Sequence, residues 1–163
     1  MARKPTAAEL EAAVAAAHRD RALIYRAMFQ ALRDRLGEGA AADAMRDALR
    51  TRGRTIGESF RRFAPHDFTG FAEAFAFAPL DSKLWNATID RCDRAGLDLT
   101  MRRCPLKEAW QAAGASDAEV AQLCHVASAL DEGTFEAAGF NWSIDTWSAG
   151  EDGCCRLHVR ARG

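Results

Sequence analysis

A chain of 163 residues that is 48% hydrophobic and 28% charged can bury a core without disulfide or metal staples, and its composition excludes a disordered chain. Its 22 basic and 23 acidic residues leave no net field to recruit nucleic acid or an anionic membrane, so neither is expected as a partner. No apolar run approaches the roughly 18 residues needed to cross a bilayer, and the Met-Ala-Arg-Lys-Pro start lacks the apolar stretch of a secretory signal. Five cysteines cannot all pair, so reduced thiols in a cytoplasmic protein are expected.

Thr6-Ala-Ala-Glu9 is a capping-box sequence that opens a long helix closed by Gly37. Leu10, Val14, Ala17, Ile24, Met28, Ala31 and Leu32 recur at helical spacing and predict its buried stripe. A second helix is predicted over 40–63, with Met45, Leu49, Ile56 and Phe60 on one stripe and Gly53 and Gly57 four apart on one face. Each glycine costs a helix roughly 1 kcal/mol relative to alanine. A kink or packing notch is favoured over the approach of a ligand. The basic Arg46–Arg62 run reads as a solvated helix face, with a phosphate or carboxylate contact as the lesser alternative.

Between Pro65 and Pro79, Phe68, Phe71 and Phe75 share helical spacing. They predict a short amphipathic helix whose rings form core or wall an apolar pocket. A further short helix is predicted from Ser82 to Arg94, closed by Gly96. The period then changes to two: Leu97, Leu99 and Met101 alternate with Asp98, Thr100 and Arg102, a half-buried strand running to Cys104. Pro105 suits the first position of a helix through Ala113, and Ser116-Asp-Ala-Glu119 starts another that carries Val120, Leu123, Cys124, Ala127 and Leu130.

Phe140–Trp147 and Cys154–Val159 read as a hairpin around Gly150-Glu-Asp-Gly153. Pairing Ala149 with Cys154 sets Asp145 opposite His158 and gathers Trp142, Ile144, Cys155, Leu157 and Val159 on one apolar face. The vicinal Cys154 and Cys155 should then point to opposite faces. The expected fold class is α+β: long N-terminal helices packed on a small antiparallel sheet with a C-terminal hairpin. The chain reads as one domain over 1–163, with a helical N-terminal arm (1–64) and a cysteine-bearing half (97–163).

Cys104 stands where a strand hands over to a helix. Free amides and the positive end of the helix dipole there favour a thiolate, against the habit of free cysteines to be small buried hydrophobes. Glu108 lies one turn on, on the same face, as an acid/base partner or a solvated glutamate. Cys124 and His125 are about 100° apart on their helix; Cys124 falls on the apolar stripe, and His125 is a candidate general base. Asp131 shares the face of Cys124 and makes a Cys-His-Asp neighbourhood conceivable. Phe71, Phe75, Trp147 and Cys155 are candidate pocket walls. No metal is expected, since metal-ligand spacings of the C-x-x-C or H-x-x-x-H type are absent, and no cofactor motif is present.

From Gly53 onward the order of features resembles the L-2-amino-thiazoline-4-carboxylic acid hydrolase family. The resemblance rests on the helical Gly53/Gly57 segment, the strand running into Arg103-Cys104-Pro105-Leu-Lys-Glu-Ala, the helix with Leu123-Cys124, the Gly139-Phe140-Asn141 strand start, and the closing Gly150-Glu-Asp-Gly-Cys-Cys-Arg-Leu-His-Val159. Where the family pattern has an acidic residue soon after the middle cysteine, this chain has Ala127, with Asp131 further on. The C-terminal order is also similar to 4-vinyl reductase-type ligand-binding domains. The hydrolase resemblance implies opening of a cyclic amidine-like ring: Cys104, or water activated by His125, would attack, Glu108 or Asp131 would donate the proton, and Arg103 would hold a substrate carboxylate. Cys124 would border the same site. The expected partner is a small molecule, turned over or merely bound, and the long first helix offers a surface for a homodimer.

Overall fold

Thr6 caps the first helix as its sequence predicts: its hydroxyl accepts from the Glu9 amide at 3.3 Å, and the Glu9 carboxylate accepts from the Thr6 amide at 2.7 Å. In the computed structural model, which describes residues 3–78 and 82–162, that helix is α1 (Ala7–Leu36) and Gly37 ends it at φ 82°. It is followed by α2 (Glu38–Gly57), a 3-10 stretch (Glu58–Phe63), α3 (Phe68–Ala76) and the single turn α4 (Ser82–Trp85). Then come β1 (Ala87–Asp93), β2 (Gly96–Met101), α5 (Pro105–Ala112), α6 (Asp117–Ala138), β3 (Phe140–Asp145) and β4 (Arg156–Ala161). The four strands form an antiparallel sheet in the order β1-β2-β4-β3, which makes the fold α+β. No described helix is long and apolar enough to cross a membrane.

The centre of the fold is the crossing of α2 and α6. A Cβ at Gly53 would stand 2.0 Å from the Leu130 carbonyl oxygen, one at Gly57 2.3 Å from that of Thr134, and one at Gly133 2.1 Å from that of Arg50. Backbone therefore meets backbone, which is the physical reason for both predicted helix glycines. The Thr134 hydroxyl donates across the contact to the Gly53 carbonyl at 3.3 Å as well as to the Leu130 carbonyl of its own helix at 2.8 Å. Arginines of the basic run flank the crossing: Arg46 pairs with Glu132 at 2.8 Å, and Arg50 and Arg54 with Glu136 at 3.0 and 3.3 Å. Of the run predicted to be a solvated face, Arg52, Arg61 and Arg62 are exposed, whereas Arg46, Arg50 and Arg54 form an inter-helical ion-pair seam whose acids are distant in the chain, 86 residues away for Arg46.

Three further expectations are corrected. The stripe of α1 is rotated: Ala22 and Phe29 are buried with Tyr25 and Leu32 packed against the core, whereas Leu10, Ile24 and Met28 are 40%, 49% and 51% exposed. Alanines spread apolar character round this helix, so periodicity does not select a side. The helix predicted over Ser82–Arg94 is only α4; the chain turns at Asn86 (φ 45°) into β1. β1 is a sheet-edge strand with a register shift between Ile89 and Arg91, which erases the alternation that would have announced it. Pro79, taken as the end of the phenylalanine segment, lies outside the described residues.

The hairpin keeps its predicted faces but pairs two residues away, with Asp145 opposite Arg156 and Trp142 opposite Val159. A slip of two preserves which side every side chain takes. It also lengthens the loop, so that Cys154 and Cys155 precede β4 instead of lying on it. Gly53→Ala is expected to destabilise the fold by about 3 kcal/mol, while Gly39→Ala, with nothing within 4 Å of the added Cβ, gains up to about 1 kcal/mol. Urea unfolding of the two variants checks the contrast.

Candidate functional site

A cavity of about 200 Å³ opens between the helices and the end of the sheet. α1 contributes His18, Arg21 and Tyr25; α3 and α4 contribute Phe75, Ala76 and Trp85; α5 contributes Leu106 and Trp110. α6 presents Cys124, Ala127, Ser128, Leu130 and Asp131, and the rest comes from Met101, Cys104, Cys154, Cys155 and Leu157. Apolar side chains dominate this wall, which lowers the local dielectric around its few charged groups.

Four of the five thiols gather here because the loop before β4 docks on the end of β2. The Cys154 amide donates to the Met101 carbonyl at 2.9 Å, and the Met101 amide to the Cys155 carbonyl at 2.9 Å. The Cys154 and Cys155 sulfurs are 3.3 Å apart, so the vicinal pair does not diverge as expected for a strand. Cys104 is the N-cap of α5, its sulfur accepting the Lys107 amide at 3.4 Å. Among the described residues no cluster of three or more His, Cys, Asp or Glu is set to hold a metal ion.

The thiols are not equivalent. A hydrogen bond from Cys154, reinforced by the Lys107 and Leu106 amides, holds Cys104 below the ordinary thiol range despite burial and the nearby Asp131. Cys154 is pushed the other way, keeping its proton among Cys104, Cys124 and Cys155. Asp131 is the reverse of an ordinary carboxyl: burial raises it to about 7, with Glu132 adding and Arg21 opposing. The site therefore offers a thiol that ionises more readily than an ordinary one and a carboxylic acid that holds its proton up to neutrality.

Of the residues singled out from sequence, Cys104, Cys124, Cys155, Asp131 and Phe75 line the cavity. The others do not. Arg103 and Glu108 grip each other at 2.8 and 2.7 Å on the exposed start of α5, where a carboxylate in the first turn also suits the helix dipole. His125 is exposed on α6, turned away by its offset from Cys124. Phe71 is fully buried among Phe60, Phe75, Phe135 and Phe140. Trp147 donates its indole N–H to the Glu151 carbonyl at 2.9 Å and braces the loop. Missed from sequence were His18, Arg21, Tyr25, Ser128 and Cys154. The first three recur at helical spacing on α1, but a polar stripe ordinarily marks a solvated face, so the sequence carried no signal that this one faces inward.

The raised Asp131 carries a sign for stability. Its native carboxyl stays protonated to about 7 while the unfolded value is 3.8, so the folded state loses stability as pH rises from about 4 to 7 and regains none above. Asp131→Asn is expected to unfold at higher denaturant than the parent at pH 8, by up to about 4 kcal/mol, and to match it at pH 4. Denaturant titrations across that range measure the difference.

A sequence model of the family described as L-2-amino-thiazoline-4-carboxylic acid hydrolase matches residues 17–159. That stretch takes in every residue lining the cavity, from His18 to Leu157. None of the curated proteins and none of the solved structures compared with the chain matches it. With the match spanning nearly the whole chain, this protein belongs to the L-2-amino-thiazoline-4-carboxylic acid hydrolase family.

Proposed function

We propose that this protein hydrolyses a small cyclic amidine-type molecule, of the kind its family name denotes, at the carbon between nitrogen and sulfur. The observation that carries the reading is the meeting of Cys104, which ionises more readily than an ordinary thiol, with the protonated Asp131 in one cavity. The Cys104 sulfur adds to the amidine carbon while Asp131 gives its proton to the ring nitrogen. Collapse of the tetrahedral adduct breaks the ring carbon–sulfur bond and leaves an isothiourea on Cys104, the departing ring sulfur taking a proton. Water, relieved of a proton by the Asp131 carboxylate, then attacks the same carbon and expels the Cys104 thiolate. One water is consumed and the product is an open ureido thiol. Cys154, which keeps its own proton, orients the attacking sulfur through its hydrogen bond.

A second reading, a small-ligand-binding module without turnover, is favoured by the low exposure of the thiols: 7% for Cys104, 4% for Cys124 and 9% for Cys154. The two readings separate on one measurement. Ring opening frees a thiol, so incubation with 2-aminothiazoline-4-carboxylate followed by titration of new thiols reports turnover directly. The parent should release thiol, and Cys104→Ser should lower the rate at least about 100-fold. Release at the parental rate from the serine variant removes Cys104 as nucleophile; binding without release by the parent leaves the module. The rate should also fall as pH rises through about 7, where Asp131 loses its proton, and Asp131→Asn should be slow with no such limb.

A further inference from the structure

Arg21 differs from the other inward arginines. Arg26 makes a two-pronged pair with Glu119 at 2.9 Å, and Arg46 and Arg50 each hold a carboxylate. Arg21 makes no ion pair among the described residues. Among the described residues its side chain makes one hydrogen bond, from an Nη2 donor to the Nδ1 atom of His18 at 2.9 Å, and its buried Nε has no hydrogen-bond partner there. Yet its guanidinium borders a cavity walled largely by Phe75, Trp85, Leu106, Trp110 and Leu130. A guanidinium carries donors in a fixed fork, and leaving it beside apolar surface without an anion is costly. Asp131, the acid in the same wall, stands beyond ion-pair distance and keeps its proton up to about 7, so it does not neutralise the cation.

His18 shows how Arg21 is held. Arginine has only donors, so the Nδ1 atom it meets serves as the acceptor. His18 in turn packs edge-on against Trp85, with ring centroids 5.6 Å apart. The cation is thus positioned before any ligand arrives.

We infer that Arg21 is the specificity-determining residue of the cavity: it takes the anionic end of a small carboxylate ligand at the α1 wall, so that the rest of the ligand extends toward the thiols. The inference deepens the proposed function by naming the group that selects the ligand, and it assigns that task to Arg21 where the sequence had suggested Arg103. His18 is its positioning residue.

The test uses the full chain and a probe that turnover does not consume: thiazolidine-4-carboxylate, the saturated ring without an amidine carbon, compared with its carboxamide by titration calorimetry. The parent should bind the carboxylate about 10- to 100-fold more tightly than the carboxamide. Arg21→Met should lose that preference while binding the carboxamide as the parent does, and Arg21→Lys should restore part of it, as a point charge in place of a fork. A preference that survives in Arg21→Met overturns the assignment, as does equal weakening of both probes, which marks a structural role, or failure of the parent to bind the carboxylate. Thermal unfolding of each variant reports folding separately. Because no bond is broken in the probe, a chain that discriminates the two probes but releases no thiol from the amidine would retain the Arg21 assignment and lose the hydrolase reading.

Discussion

Backbone packed on backbone at the α2–α6 crossing governs the arrangement of everything else. Because the contact runs through Gly53, Gly57 and Gly133, neither helix can slide or rotate without driving a carbonyl into a Cα. The ion pairs of Arg46, Arg50 and Arg54 close its edge, and Glu132, at 6% exposure, can be buried only because Arg46 and Arg50 meet it. With one side of α6 so fixed, the neighbouring stripe that bears Cys124, Ser128 and Asp131 has a fixed aim. The precision of the cavity is inherited from a contact that has no chemistry of its own.

The docked loop before β4 supplies the complementary half. Two backbone hydrogen bonds between Met101 and the Cys154–Cys155 pair bring thiols from the chain's end to Cys104 at the start of α5. The same junction places Cys104 at a helix terminus, where free amides accept negative charge, and gives it a thiol donor in Cys154. Chemical inequality among similar groups thus follows from position: one sulfur receives hydrogen bonds, another donates them.

Local order was legible where a short-range interaction decides it. The Thr6–Glu9 capping box, Pro105 at the first turn of α5, the Leu97–Met101 alternation and the faces of β3 and β4 all depend on neighbours within a few residues. Gly53 and Gly57 also announced themselves, since only an external constraint explains their cost. What escaped notice depends on partners distant in the chain. Glu119 completes a cap sequence, yet its carboxylate joins Arg26 and Gln30 on α1. Arg103 and Glu108 looked like a cation and an acid for a substrate, whereas two flexible side chains at close range satisfied each other. Arg21, His18 and Tyr25 were read past because α1 was assigned an apolar inner stripe, and its true inner face is partly polar. The family resemblance proved firmer than any one of its motifs, since it drew on their order.

The cavity wall draws on residues from His18 to Leu157, so α1, the middle helices and the loop before β4 must all be in place to form it. No single secondary-structure element holds both the guanidinium and the sulfurs, and a partly folded molecule with α1 detached has thiols but no anion cradle. Occupancy of the hollow is therefore coupled to closure of the entire polypeptide rather than to the ordering of one segment. α1 is fastened to the rest of the fold by the buried Ala22 and Phe29, by the Trp110 indole on the Ala22 carbonyl at 2.7 Å and by the Arg26–Glu119 clasp. A guest bridging Arg21 to the sulfur side would add a non-covalent tie to these, making small-molecule capture and tertiary integrity two readings of a single equilibrium.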